Sequence, residues 1–224
     1  MPYSGGSSTI AGTNYQNWFL ALQCAYAFFE KDFEIFPEAL RNDNVIIDDV
    51  RVKKRTSETY YSVKLSPPNN SLHWSVSALK SENIFRDFKK QFRKTPKAKL
   101  VLVSQSNCYL FAEVFRRGSN ASGPADIDDN LNSKNCVELW EEVKEYLEFD
   151  DFEMIRFAQQ VSIKTIPQDE IELLIKHRFL NISAQPSITS LLFQKSAECA
   201  PYKTKISKEL INSWFLDENI IFRS

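Results

Sequence analysis

The sequence predicts a mixed α/β fold: a mixed sheet flanked by helices, followed by a mostly helical stretch. Three observations carry this. Apolar residues recur at three- and four-residue spacing over 14–30, as on the buried face of an amphipathic helix. Two β-branched and aromatic runs, 45–52 and 59–65, are separated by polar turn material, the pattern of a hairpin. The short apolar run 100–104 has the continuous hydrophobicity of a strand covered on both faces.

The elements follow in order. Residues 1–9 are small and polar and read as a flexible lead. The first helix places Tyr15, Trp18, Phe19, Leu22, Ala25, Tyr26 and Phe29 on one broad face. A short strand is expected over 33–36, ended by Pro37, and the hairpin follows, stopped by Pro67-Pro68. Val76, Leu79, Ile84, Phe85, Phe88 and Phe92 mark one or two helices closed by Thr95-Pro96. After the run 100–104, the segment 108–115 reads as another strand. Residues 117–133 hold Gly118, Gly123, Pro124 and several Asn and Asp, and read as a linker. Beyond it the pattern is helical: Val137, Trp140, Val143 and Leu147 share a face, as do Ile171, Leu174, Ile175 and Phe179, with further helices over 187–195 and 207–215. The expected organisation is therefore a lead (1–9), an α/β domain (10–116), a linker (117–133) and a helical subdomain (134–224).

Composition narrows the function classes. The chain has 224 residues, 43% of them hydrophobic, enough for a sizeable core built on 17 Phe, 8 Tyr and 4 Trp. Only 5 Gly are present and no G-x-x-x-x-G-K-[ST] occurs, which argues against a glycine-loop nucleotide binder. The formal charge of −1 gives no global nucleic-acid signature, so any such surface has to be a local patch. Cys24, Cys108, Cys136 and Cys199 are scattered, and with only His73 and His177 beside them a structural zinc site is not expected. No apolar run reaches the roughly 18 residues of a membrane helix. Free thiols without an export signal point to a cytoplasmic protein.

One stretch carries chemistry. Asp48-Asp49 falls inside an expected strand, and the next strand ends Tyr61-Ser62-Val63-Lys64. Side chains alternate along strands, so a carboxylate in one and a lysine in its partner can meet on a shared face. Carboxylates that hold a metal beside a lysine that stabilises developing charge are what a magnesium-dependent phosphodiesterase needs. An ordinary ion pair between neighbouring strands has the same residue pattern, and the residues alone leave both readings open.

The order Gly12-x-x-Tyr15-Gln16 on the first helix, then Glu38, then Ile47-Asp48-Asp49-Val50, then Tyr61-Ser62-Val63-Lys64, resembles the N-terminal PD-(D/E)XK nuclease domain of bacterial antiphage effectors. These are the CD-NTase-associated double-stranded DNA endonucleases of CBASS systems and related nucleases fused to STAND or NACHT ATPases. The resemblance covers residues 5 to about 115 and implies a restriction-endonuclease-like core. It makes Asp49 the metal-binding aspartate, with Asp48 in its place if the register slips by one, and Lys64 the catalytic lysine. It also puts Gln16 on the first helix facing the site and makes Glu38 a further metal ligand. Mg2+ or Mn2+ is the implied cofactor and double-stranded DNA the implied substrate. Self-association and a sensor or ATPase module, fused or separate, are the implied partners. Ser62 departs from the family's Glu or Gln at that position; a serine brings no charge, although it can hold a metal-bound water.

Basic residues supply the DNA surface that this reading needs. Lys53, Lys54 and Arg55 fall at the expected hairpin tip, and Lys89, Lys90 and Arg93 on the outer face of the helix whose inner face holds Phe85, Phe88 and Phe92. A solvated helix face is the plain alternative for the second group. The expected function is a metal-dependent DNA endonuclease effector domain activated by assembly. The alternative is a nuclease-fold module, impaired at Ser62, that binds DNA or a partner protein.

Overall fold

The computed structural model describes residues 5–37, 45–47, 49–68, 71–180, 185–220 and 222. A five-stranded mixed sheet forms its centre, with strands in sequence order. The first three, β1 (Phe33–Pro37), β2 (Val50–Lys54) and β3 (Ser57–Lys64), form an antiparallel meander. The last two, β4 (Lys99–Ser104) and β5 (Val161–Thr165), add in parallel. Parallel neighbours need crossovers, and helices supply both. Helices α2 (Val76–Ser81) and α3 (Ile84–Lys94) lead from β3 to β4. Helices α4 (Tyr109–Gly118), α5 (Ile127–Leu131), α6 (Lys134–Leu147) and α7 (Asp151–Ala158) lead from β4 to β5.

The two sheet faces are covered by different helices, so the described chain has two cores. One is built on Tyr60, Leu100 and Leu102 with Phe85, Phe88, Phe115, Trp140 and Phe157 from the crossover helices. The other is built on Val52, Val63, Val101 and Val103 with residues of α1 (Gly5–Phe29), α8 (Gln168–Arg178), α9 (Gln185–Cys199) and α10 (Lys208–Asp217). Alternation along β4 sends Leu100 and Leu102 to one core and Val101 and Val103 to the other. This is why the whole run is apolar.

The mixed α/β class and the helix-flanked sheet stand as expected. Several local readings change. The helix expected from residue 14 begins at Gly5. The segment 108–115, expected as a strand, is helix α4, because Phe111, Val114 and Phe115 bury at helical spacing while Tyr109 and Leu110 stay exposed. Residues 161–165, left within the helical stretch, form β5; their Val161-x-Ile163 alternation is short and sits at a sheet edge. The helices at 134–147, 168–178, 185–199 and 208–217 and strand β5 therefore pack on and extend the same sheet as the preceding residues. Within 117–133, Ala121, Ile127 and Leu131 are buried, and Asp126 accepts the Ser122 and Gly123 N–H groups to start a single 3-10 turn at Pro124–Asp126.

The hairpin also differs in detail. Strand β2 starts at Val50, so Asp49 lies one residue outside it, not within it. Lys53 and Lys54 belong to the strand, paired with Glu58 and Ser57, and the turn is only Arg55-Thr56. The reason is the pairing: β1 lies against β2 through Lys54, opposite Phe33, which keeps these lysines extended.

Candidate functional site

Lys64 and Ser62 lie two residues apart on β3 and share the sheet face that carries Tyr60. The β2–β3 ladder ends at the Val50–Tyr61 pair. Beyond it, the Asp49 side chain takes over: Asp49 Oδ2 accepts the Val63 backbone N–H at 2.7 Å and the Ser62 hydroxyl at 3.3 Å. The Lys64 ammonium stands 3.3 Å from the same oxygen. Gln16 reaches over from α1, its amide donating to Asp49 Oδ1 at 3.4 Å and to the Val63 carbonyl at 3.2 Å. The sequence-predicted residues Asp49, Ser62, Lys64 and Gln16 therefore come together.

Asp49, Ser62 and Lys64 border a cleft of about 50 Å³, with Ile47, Ile84 and Phe88 as apolar walls. Two carboxylates that the sequence did not single out, Glu82 and Asp87, line the same cleft. Their signal was faint: they sit at the α2–α3 junction, and only that junction's position over the sheet brings them near Lys64. Buried Gln91 on α3 was missed for the same reason. Its side-chain oxygen accepts the Ile46 N–H at 2.8 Å and the Ile47 N–H at 3.4 Å, fixing the chain just ahead of Asp49. Glu38 and Asp48 lie outside the described residues.

Tyr15, from the same helical motif as Gln16, is fully buried and donates its hydroxyl to the Ile166 carbonyl at 2.7 Å. Burial raises its phenol well above the usual range, so it stays a neutral donor that anchors α1 beside β5. His73 is exposed and its residue bridges Asn107 through the backbone.

The two basic groups part ways. Lys89 donates to the Leu147 carbonyl, pairs with Glu148 and sits 5.3 Å from the Phe149 ring centre. Lys90 pairs with Asp87 at 3.8 Å, and Arg93 lies over Phe149 at 5.9 Å. Lys89 and Arg93 therefore hold α3 to the α6–α7 connection, while Lys90 pairs within α3. Lys53, Lys54 and Arg55 are exposed. They stand at the opposite end of the β2–β3 pair from Asp49 and Lys64, roughly 15 Å away at about 3.3 Å per residue.

No protein-family model matches the sequence, and no curated protein matches it. Solved structures do share the fold. One is the Acinetobacter baumannii Cap4 SAVED/CARF-domain containing receptor with the cyclic trinucleotide 3'3'3'-cAAA, at TM-score 0.58 and 16% identity, covering 93% of this chain and 46% of that one. The same receptor with 2'3'3'-cAAA gives the same values. The Moraxella osloensis Cap4 SAVED/CARF-domain containing receptor matches at TM-score 0.56 and 10% identity, over 92% of this chain and 47% of that one. The chain spans about half the length of the receptors it matches.

These matches correct the expected family and activity. The proteins that share the fold are described as SAVED/CARF-domain containing receptors, one of them with cyclic trinucleotides, so the assignment to a PD-(D/E)XK nuclease family, and with it the magnesium-dependent endonuclease, does not stand. Double-stranded DNA likewise finds no support as a partner. Asp49 already accepts from Val63, Ser62 and Gln16 and pairs with Lys64. Among the described residues, no three His, Cys, Asp or Glu side chains come together as metal ligands. No described helix is long and apolar enough to cross a membrane.

Proposed function

We propose that this chain is a module of a receptor that responds to a cyclic oligonucleotide, with Lys64, Asp49, Ser62 and Gln16 as its polar centre. One observation carries the reading: a fold shared over 93% of the chain with receptors that hold cyclic trinucleotides. The chemistry of the centre is compatible with a phosphodiester ligand. Lys64 presents a cation that is 28% exposed beside an acid that fixes its position. A cleft of about 50 Å³ has room for little more than one water, whose share of liquid is about 30 Å³. The ligand therefore meets this centre with one phosphate edge and keeps its bases outside. Gln16 bonds both Asp49 and the Val63 carbonyl, so a ligand that draws Lys64 away from Asp49 acts on the contact between α1 and β3 as well.

The test is calorimetric titration of the chain with the 3'3'3' and 2'3'3' cyclic triadenylates, using adenosine as control. Saturable binding is expected in the wild type, weakened about tenfold or more in Lys64→Ala by loss of a charged hydrogen bond. No saturable heat with either trinucleotide would overturn the reading. Equal affinity in Lys64→Ala would remove Lys64 from the contact.

A further inference from the structure

We propose that the cleft at the tip of the β2–β3 hairpin binds a small ligand carrying two or more phosphates. This inference rests on charge and shape and stands apart from the receptor reading above.

Three separate stretches of chain build the cleft. The α1–β1 turn supplies Lys31, the hairpin tip supplies Lys53, Lys54 and Arg55, and the connection into α10 and its first residue supply Lys205 and Lys208. That connection is fixed in place, because Ile206 and Ile35 exchange backbone hydrogen bonds of 2.8 and 2.9 Å along the outer edge of β1. The six cations are therefore brought together by the sheet edge, not by adjacency in sequence.

The lining also holds Asp32, Glu34 and Glu209, leaving three more cations than acids on one wall of a chain whose net charge is −1. Some of the charge is answered within the protein: Lys54 pairs with Glu30 at 2.5 Å and lies over the Phe33 ring, and Lys205 pairs with Glu34 at 2.8 Å. Lys31, Lys53 and Arg55 have no carboxylate partner among the described residues. Like charges gathered in a concavity repel, and an anion that enters relieves this repulsion. A solvated row of lysines, the plain alternative, has no reason to converge from three stretches on one hollow.

The shape limits the ligand. At about 710 Å³ the cleft falls within the roughly 300–1,000 Å³ typical of small-molecule sites. A guanidinium fork with flanking ammonium groups suits tetrahedral phosphate oxygens better than a single carboxylate.

The experiment titrates the chain with tripolyphosphate, linear triadenylate and 3'3'3' cyclic triadenylate, with adenosine as the uncharged control, at low and at physiological salt. Saturable binding of the phosphate-bearing probes is expected, weakening as salt rises. Combined Lys53→Glu and Arg55→Glu should weaken it by about tenfold or more, since each removes a charged hydrogen bond. Arg55→Gln should weaken it less, and Lys134→Glu, on α6 and outside the cleft lining, should leave it unchanged. Unaltered melting of each variant shows that it folds. Equal affinity for the linear and cyclic triadenylates means recognition of phosphate alone; preference for the cyclic one adds its ring to the recognition. Both outcomes uphold the site. Tripolyphosphate binding without cyclic triadenylate binding upholds it too, while defeating the receptor reading. The proposal fails if no phosphate probe binds, if adenosine binds as well, if the charge reversal has no effect, or if duplex DNA binds in preference to the small probes.

Discussion

Replacing Asp49 with alanine should destabilise the fold even though the residue lies one position outside β2. Its carboxylate takes the N–H of Val63, a residue only 1% exposed, at a point where the β2–β3 ladder has already ended. Losing the partner of a buried N–H, in a bond to a charged acceptor, costs about 1.5–3 kcal/mol. The Lys64 contact, at 3.3 Å with side chains 28% and 16% exposed, adds at most about 1 kcal/mol. The bonds from Ser62 and Gln16, at 3.3 and 3.4 Å, are long and add little. Asp49→Ala should therefore lose about 2–4 kcal/mol in urea denaturation. Asp49→Asn keeps an oxygen for the Val63 N–H but not its charge, and should lose about half as much. A double-mutant cycle with Lys64→Met isolates the ion pair, whose coupling should stay below about 1 kcal/mol. A loss under about 0.5 kcal/mol in Asp49→Ala, the scatter of ordinary surface changes, would refute the reasoning. So would an Asn variant as unstable as the Ala variant.

Gly118→Ala sets helix propensity against packing: the new methyl would lie 2.1 Å from the ring of Trp140, which is 1% exposed and cannot swing out. Overpacking of about 1–3 kcal/mol should outweigh a propensity gain of about 1 kcal/mol; a lower Tm is expected, partly recovered by Trp140→Phe, and a raised Tm would contradict the packing. Burial pushes the Cys24 and Cys108 thiols up to about 12, against hydrogen bonds from Ser196 and from Thr165 and Ser104 respectively that act the other way. Both should resist iodoacetamide at mildly alkaline pH until urea is added. Because the folded thiols ionise later than the unfolded ones, their contribution to stability is complete below the usual thiol range and falls as pH rises towards 12. Denaturation midpoints that stay level across that window would contradict this. Hydrogen bonds from Arg116 and Arg117 lower the Glu113 carboxyl to about 2. Its contribution is present above the usual carboxylate range and lost as pH falls through about 2. An NMR titration with an ordinary glutamate midpoint would show that the Arg fork does not form in solution.

Residue pattern alone determined the elements whose cause is local. The apolar stripe from Tyr15 to Phe29 specifies α1, the continuous run in β4 announces a strand covered on both faces, and the runs in β2 and β3 announce a hairpin, because side-chain period follows backbone geometry. Where two periods fit a short segment, the local signal failed. Residues 109–118 fold as helix because burying Phe111, Val114 and Phe115 against the crossover core outweighs their strand preference. The meeting of Asp49 and Lys64 could be anticipated, since hairpin partners are near in sequence. Gln91 under the preceding chain and Glu82 and Asp87 in the cleft could not. The same split decides the charges. In sequence, Lys53-Lys54-Arg55 and Lys89-Lys90 look alike. Only the tertiary structure places Lys89 against the Leu147 carbonyl and leaves Lys53 and Arg55 facing a cleft completed by residues 205–208. Periodicity is written into consecutive residues, but the partner that satisfies or exposes a charge comes from distant chain, and only folding brings it there.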